Sequence, residues 1–178
     1  MTVALVDGES IPWAAVAERL EAAEVMGQAP PVDRAEWRHH VGEVIDVLIN
    51  EVLTRHYVEA RGRFATPELI DAEVAKVEAR YGGPDGLRQA MDQMDVTAAQ
   101  LRETQRRGLY LQTLIDLVVP ATDAQIDAYL AQPGATGLSR AEAAARVRAE
   151  GAAALIPQFL DQLREGAAIQ VVDITALE

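Results

Sequence analysis

Apolar residues recur along this chain at steps of three and four over most of its length, the spacing of helices with one buried face. Strand-like patterning is confined to the two ends. At the start, "VALV" is followed by Asp7-Gly8 and "ESI". A two-residue type I′ turn needs positive φ at both central positions, which Asp and Gly tolerate, so this stretch predicts a tight hairpin. Pro12 suits a first helical position, with the boundary at Ser10 or Ile11. Trp13, Val16, Leu20 and Ala23 then give the first helix an apolar face, and "GQAPPVD" (Gly27 to Asp33) reads as a loop.

The spacing predicts a long helix from Arg34 to Ala60. Trp37, Val41, Val44, Ile45, Leu48, Val52 and Tyr57 form its stripe, and Val47, Ile49 and Leu53 widen it past a single face. Such a helix is expected to pack on two sides. Gly62 ends it, and Thr66-Pro67-Glu68 opens the next as N-cap and N1 proline. That helix carries Leu69, Ile70, Val74, Val77 and Tyr81 and stops at Gly82-Gly83-Pro84. A short helix with Leu87, Met91 and Met94 follows. Thr97 caps a long one whose apolar positions, Leu101, Leu109, Leu111, Leu114, Ile115 and Val118, run up to Pro120.

Thr122 caps a brief helix through Ile126 and Leu130, and "AQPGATG" (Ala131 to Gly137) reads as a short flexible break. Ser139 and Glu142 make a capping box for a last long helix with Val147, Leu155, Ile156, Phe159 and Leu163, ending at Gly166. Pro157 within it predicts a kink or break. "AIQVVDI" (Ala168 to Ile174) is the second strand-like segment. A lone hairpin is marginal in water, so this segment is expected to pair with the N-terminal one in a three-stranded sheet. The fold class expected is therefore mainly α, a multi-helix body with a small antiparallel sheet made by the N-terminal hairpin and the C-terminal strand.

At 178 residues the chain fits a single domain and can bury roughly 70% of its unfolded surface. It has no cysteine, which excludes disulfides and thiolate zinc sites and leaves the redox compartment open. The charge balance of 16 Lys and Arg against 28 Asp and Glu, formally -12, argues against a nucleic-acid partner. No apolar run approaches the ~20 residues of a membrane span. Met1 leads straight into "TVALVDG" without a basic and apolar leader, so the chain as written is expected in the cytoplasm, or outside it if a leader has been removed. The near-exclusive use of Arg, with Lys76 the one lysine, reflects genome composition more than function.

Sequence motifs for phosphate loops, H-E-x-x-H zinc sites and G-x-S-x-G nucleophiles do not occur. The concentrated ionisable stretch is "RHHVGEVID". His39 and Glu43 are four apart and His40 and Glu43 three apart, so either histidine with Glu43, and Asp46 beyond, could form a general-base pair or part of a metal site. His56 is a weaker candidate. Such neighbours on a helix are ordinarily a solvated pair, and no metal, cofactor or catalytic residue is expected. Met91 and Met94 have the adaptable thioethers of surfaces that accommodate varied apolar partners, although two core-filling methionines would look the same. With Tyr110 they are the candidate substrate-binding residues. "RETQRRG" places Arg102, Arg106 and Arg107 on one side of a helix, ordinarily a solvated, partly ion-paired face.

Four blocks in order resemble the SurA-type and PrsA-type chaperone family. "VALVDGESIP" is similar to the V-x-G-E-x-I hairpin that begins its N-terminal domain, and "VIDVLINEVLTRHYVEARG" to its long helix. The run from "ATPELIDAEV" to "LYLQTLID" follows its next three helices, and "LSRAEAAARVRAEGAAALIPQFLDQLREGAAIQVV" its closing helix and strand. Familiar members carry a parvulin-type prolyl isomerase domain between the brief helix and the closing one. Here "AQPGATGLS" stands in that place, far short of the ~50 residues a folded domain requires.

The resemblance implies one chaperone body, residues 1–131 and 138–178 together, without the isomerase. It implies a foldase-like chaperone or holdase for unfolded or extended polypeptide. The alternatives are a dedicated binding or assembly partner for one protein or peptide and, further off, an enzyme using His39 or His40 with Glu43. Long helices with two apolar sides would also suit a homodimer.

Overall fold

The computed structural model describes residues 1–25 and 33–172. Most of the predicted loop at Gly27 to Asp33, and the last two residues of "AIQVVDI", lie outside the described residues. In order the elements are β1 (Thr2–Val6), β2 (Glu9–Pro12), α1 (Trp13–Val25), α2 (Arg34–Glu59), α3 (Pro67–Arg80), α4 (Pro84–Gln93), α5 (Ala98–Val118), α6 (Asp123–Leu130), a 3-10 turn at Pro133–Ala135, α7 (Arg140–Gly166) and β3 (Ile169–Val171). The fold is mainly α with one small antiparallel sheet of order β2-β1-β3.

Asp7 (φ 51°) and Gly8 (φ 85°) both take positive φ, as the turn type requires, and close the hairpin with Val6 opposite Glu9. The register slips between Thr2 and Ala4, and such a slip re-aims side chains, so the consecutive Val3 and Ala4 are both buried. β3 pairs with β1 from the other side, Val6 opposite Ile169 and Ala4 opposite Val171. Two further bonds fasten this end. The Asp7 N–H donates to the Ala168 carbonyl (2.9 Å), and the Ala168 N–H donates to the Asp7 carboxylate (2.8 Å).

Pro12 departs from expectation, because it ends β2 and the helix starts at Trp13. The ladder outlasts the predicted boundary: the Trp13 N–H donates to the Met1 carbonyl (2.8 Å). β2 is an edge strand, so a proline whose nitrogen faces away from β1 forfeits no ladder bond.

α2 is the axis of the molecule and has two apolar sides. Val41, Ile45, Leu48, Ile49 and Leu53 join Val3, Val6, Ile11 and Val16 in one core beneath the sheet, edged by the tilted pair Trp13 and Trp37 at 6.2 Å. Further along, Val58 joins Tyr110, Leu114, Val119 and Ile156 in a second core between α5 and α7, where Tyr57 meets Phe159 edge-on at 4.8 Å. Gly151 lets α7 approach α5, since a Cβ there would stand 3.0 Å from the Val119 side chain. Ile126, Ala143 and Ala144 form a smaller third core between α6 and α7.

The helix starts follow the sequence closely. Asp33, Thr66, Thr97, Thr122 and Ser139 are N-caps whose side chains accept backbone N–H bonds, three of them in full capping boxes. Pro157, in contrast, does not break α7. Pro157 and Ala153, whose carbonyl loses its partner, both lie on the exposed side, while the adjoining Ile156 is buried. Water can satisfy the freed carbonyl, and packing holds the helix together. The expected break at Ala131 to Gly137 also has structure: Gln132 accepts from the Ala135 N–H (3.0 Å), and Ala135 is buried.

Candidate functional site

β2 and the first turn of α1, the middle of α2, and the middle of α5 enclose a cleft of about 480 Å³. Its apolar lining comes from Ile11, Pro12 and Ala15 on one wall, Val47, Leu48 and Val52 on the floor, and Leu111 on the opposite wall. Val47 and Leu111 are 46% and 45% exposed, high values for aliphatic residues on packed helices, because both border this open space. Gly108 belongs to the same wall. It sits mid-helix, where glycine costs about 1 kcal/mol relative to alanine. Nothing lies within 4 Å of the Cβ it lacks, so neighbouring atoms do not demand a glycine there.

The cleft continues toward α3 as a second, more polar space of about 600 Å³ that shares Glu9, Arg55, Glu103, Arg106 and Tyr110 and adds Glu59, Ile70 and Arg102. A chain of charged groups bridges the two. Glu9 accepts from Arg55, and its other oxygen lies 2.9 Å from His56 Nε2. The bond from Arg55 holds the Glu9 carboxyl below its usual range against the opposing effect of burial, and raises the Arg55 guanidinium in return. Arg55 also stands 3.8 Å from Glu59, which accepts from the Tyr110 hydroxyl. Burial first, and that hydrogen bond second, push Tyr110 up. Glu51 is held by Arg19 and Glu103 by Arg106 (2.9 Å).

On its far side, α5 borders a third space of about 390 Å³ beside Phe64, Leu69 and Leu117, with Tyr110 again in its lining. Phe64 and Leu69 are 56% and 49% exposed.

The sequence candidates fall in different places. Tyr110 lies where the three spaces meet. Met91 and Met94 sit on and just after α4 and line none of the three; Met91 is half-buried and Met94 exposed. His39 and His40 do approach Glu43, at 3.4 and 3.6 Å, near the start of α2, away from the cleft and with the His39 ring 78% exposed. Asp46 instead receives Arg164 of α7 (2.9 Å), which also donates to Asn50 (2.8 Å) and locks the two helices together. His56 lies between Glu9 and Asp7. Among the described residues no group of three or more His, Asp or Glu side chains is placed to hold a metal ion. Of the three arginines, Arg106 and Arg107 line the apolar cleft, and Arg102 pairs with Asp71 at its polar end.

Sequence reasoning missed Val47, Leu111 and Gly108 as the lining of a cleft. Val47 and Leu111 looked like ordinary members of core stripes. The available signal was a glycine in the interior of a helix whose pattern called for none.

No protein-family model matches the chain, and no curated protein matches it by sequence. Among solved structures it is similar to one from the study of the virulence factor PEB4 and the periplasmic protein Cj1289, two structurally related SurA-like chaperones of Campylobacter jejuni. The TM-score is 0.58 at 11% identity, over 97% of this chain and 99% of that one. At that identity the likeness is one of fold: the chain has a SurA-like fold. No helix among the described residues is long and apolar enough to cross a membrane.

Proposed function

We propose that this protein is a chaperone of the holdase kind, which binds unfolded or extended polypeptide in the cleft between β2, α2 and α5. The observation that carries the reading is that cleft: aliphatic side chains left open to water, bounded by charged groups, in a body of SurA-like fold. Burying one client aliphatic or aromatic side chain there contributes about 1.5–3 kcal/mol. Two or three such insertions contribute about 3–9 kcal/mol before the cost of ordering the client, which corresponds to binding weaker than micromolar. That strength suits a protein that must release what it holds. The charged rim keeps water at the edges and opposes collapse of the cleft on itself.

The link from α6 to α7 consists of residues 131–139, with a single 3-10 turn. We infer one continuous chaperone body without prolyl isomerase activity, and a proline-containing test peptide should isomerise at its uncatalysed rate.

Suppression of client aggregation, followed by light scattering, tests the main reading. Wild type should suppress it at near-stoichiometric ratio. Gly108→Phe, whose ring would enter the cleft where no atom stands within 4 Å of the new Cβ, should lose most of that effect while resisting thermal unfolding at least as well as wild type. Equal suppression by both proteins, or none by wild type with several clients, would contradict it.

A further inference from the structure

The charges of the apolar cleft do not balance. Each of its carboxylates is held by an arginine: Glu9 by Arg55, Glu51 by Arg19 and Glu103 by Arg106. Arg107, which also lines the cleft, meets only the Thr104 hydroxyl at 3.3 Å, and no carboxylate lies within ion-pair distance of it among the described residues. A chain of formal charge -12 thus presents an uncommitted guanidinium at the edge of its apolar groove. The net charge acts over distances that physiological salt screens within about 8 Å, whereas a guanidinium and carboxylate in contact are screened far less. Arginine also presents a planar fork that matches a carboxylate with two parallel bonds.

The spacing along α5 sharpens this. Arg107 and Leu111 are four residues apart, on the same face of the helix, and separated by about 6 Å along its axis. In an extended chain, side chains two residues apart share a face and are separated by about 6.5–7 Å. Resting on the cleft reading above, we propose that Arg107 gives the cleft a sequence preference. The favoured client segment is extended and carries an aliphatic or aromatic residue with an Asp or Glu two positions away, the apolar side chain against Val47 and Leu111 and the carboxylate on Arg107. A polypeptide chain of acidic, apolar character is therefore the partner this groove fits, despite the acidity of the protein as a whole.

Fluorescence anisotropy with labelled nonapeptides, amidated at the C-terminus so that no terminal carboxylate contributes, tests this. The peptides share three Leu anchors in a Ser/Gly background and differ in carrying, beside the central one, Glu two positions away, Gln two positions away, or Glu one position away. Wild type should bind the first about five-fold more tightly than the other two, a preference that shrinks with added salt. Arg107→Gln should bind all three alike while unfolding at the wild-type temperature, and Arg107→Glu should reverse the preference toward a Lys-bearing peptide. Equal binding of the three by wild type, with all binding lost in Gly108→Phe, would overturn the role of Arg107 and leave the cleft standing. Binding that Gly108→Phe leaves unchanged, or no binding at all, would overturn both.

Discussion

Glu9 shows how one residue can belong to both the fold and the site. It closes the hairpin turn, fastens β2 to α2 through Arg55 and His56, and borders the cleft. Because Arg55 depresses its pKa in the folded state, the stabilisation is present in full above the unfolded carboxylate value of about 4.3 and is lost as pH falls through the lower, folded one. Glu9→Gln should therefore unfold more readily than wild type at neutral pH, by no more than about 1 kcal/mol for so exposed a pair, and the difference should vanish in acid. Urea titrations at several pH values check this; a difference that grows in acid would contradict it.

Glycines supply a second contrast at this scale. A Cβ on Gly86 would stand 1.9 Å from the Tyr81 carbonyl oxygen, whereas one on Gly108 meets nothing. Gly86→Ala should cost about 1–3 kcal/mol, and Gly108→Ala should add about 0.5–1 kcal/mol by favouring the helix. Thermal unfolding of the two variants should move in opposite directions.

At the scale of elements, local chemistry was largely legible and long-range placement was not. Thr66, Thr97, Thr122 and Ser139 could be read as helix starts because a cap is decided within four residues, whereas Asp33 was read only as the end of a loop. Asp7-Gly8 could be read as a turn for the same reason. Pro12 misled, and so did the break read at Pro157, because what offsets a missing N–H lies elsewhere: a free sheet edge for Pro12, and buried neighbours with a solvated carbonyl for Pro157. The clasp of β3 on β1 was legible only as an economy argument, and its bonds at Asp7 were not. Asp7→Ala removes the bond from Ala168 and places a residue ill-suited to φ 51° in the turn. It should lower stability by about 1–2 kcal/mol, with Asp7→Asn closer to wild type. Equal urea midpoints for Asp7→Ala and wild type would show that the clasp contributes nothing through this residue.

For the whole molecule, the cleft was the least legible part, because its walls come from residues 9–15, 47–55 and 103–111, which only tertiary packing brings together. Val47 and Leu111 each continue a plausible core stripe, and nothing local says that the space between them stays open. Tyr110, singled out beforehand, lies at the junction of three spaces, whereas Met91 and Met94 lie apart from them. The proposed resting place of a client is therefore the cleft beside α5 and not the α4 surface. Amide hydrogen exchange of the full chain, with and without an unfolded client in excess, decides most directly. Added protection should be confined to β2, residues 47–55 of α2 and residues 103–111 of α5. Protection centred on α4, or no change around the cleft while the client is demonstrably bound, would contradict the proposed site.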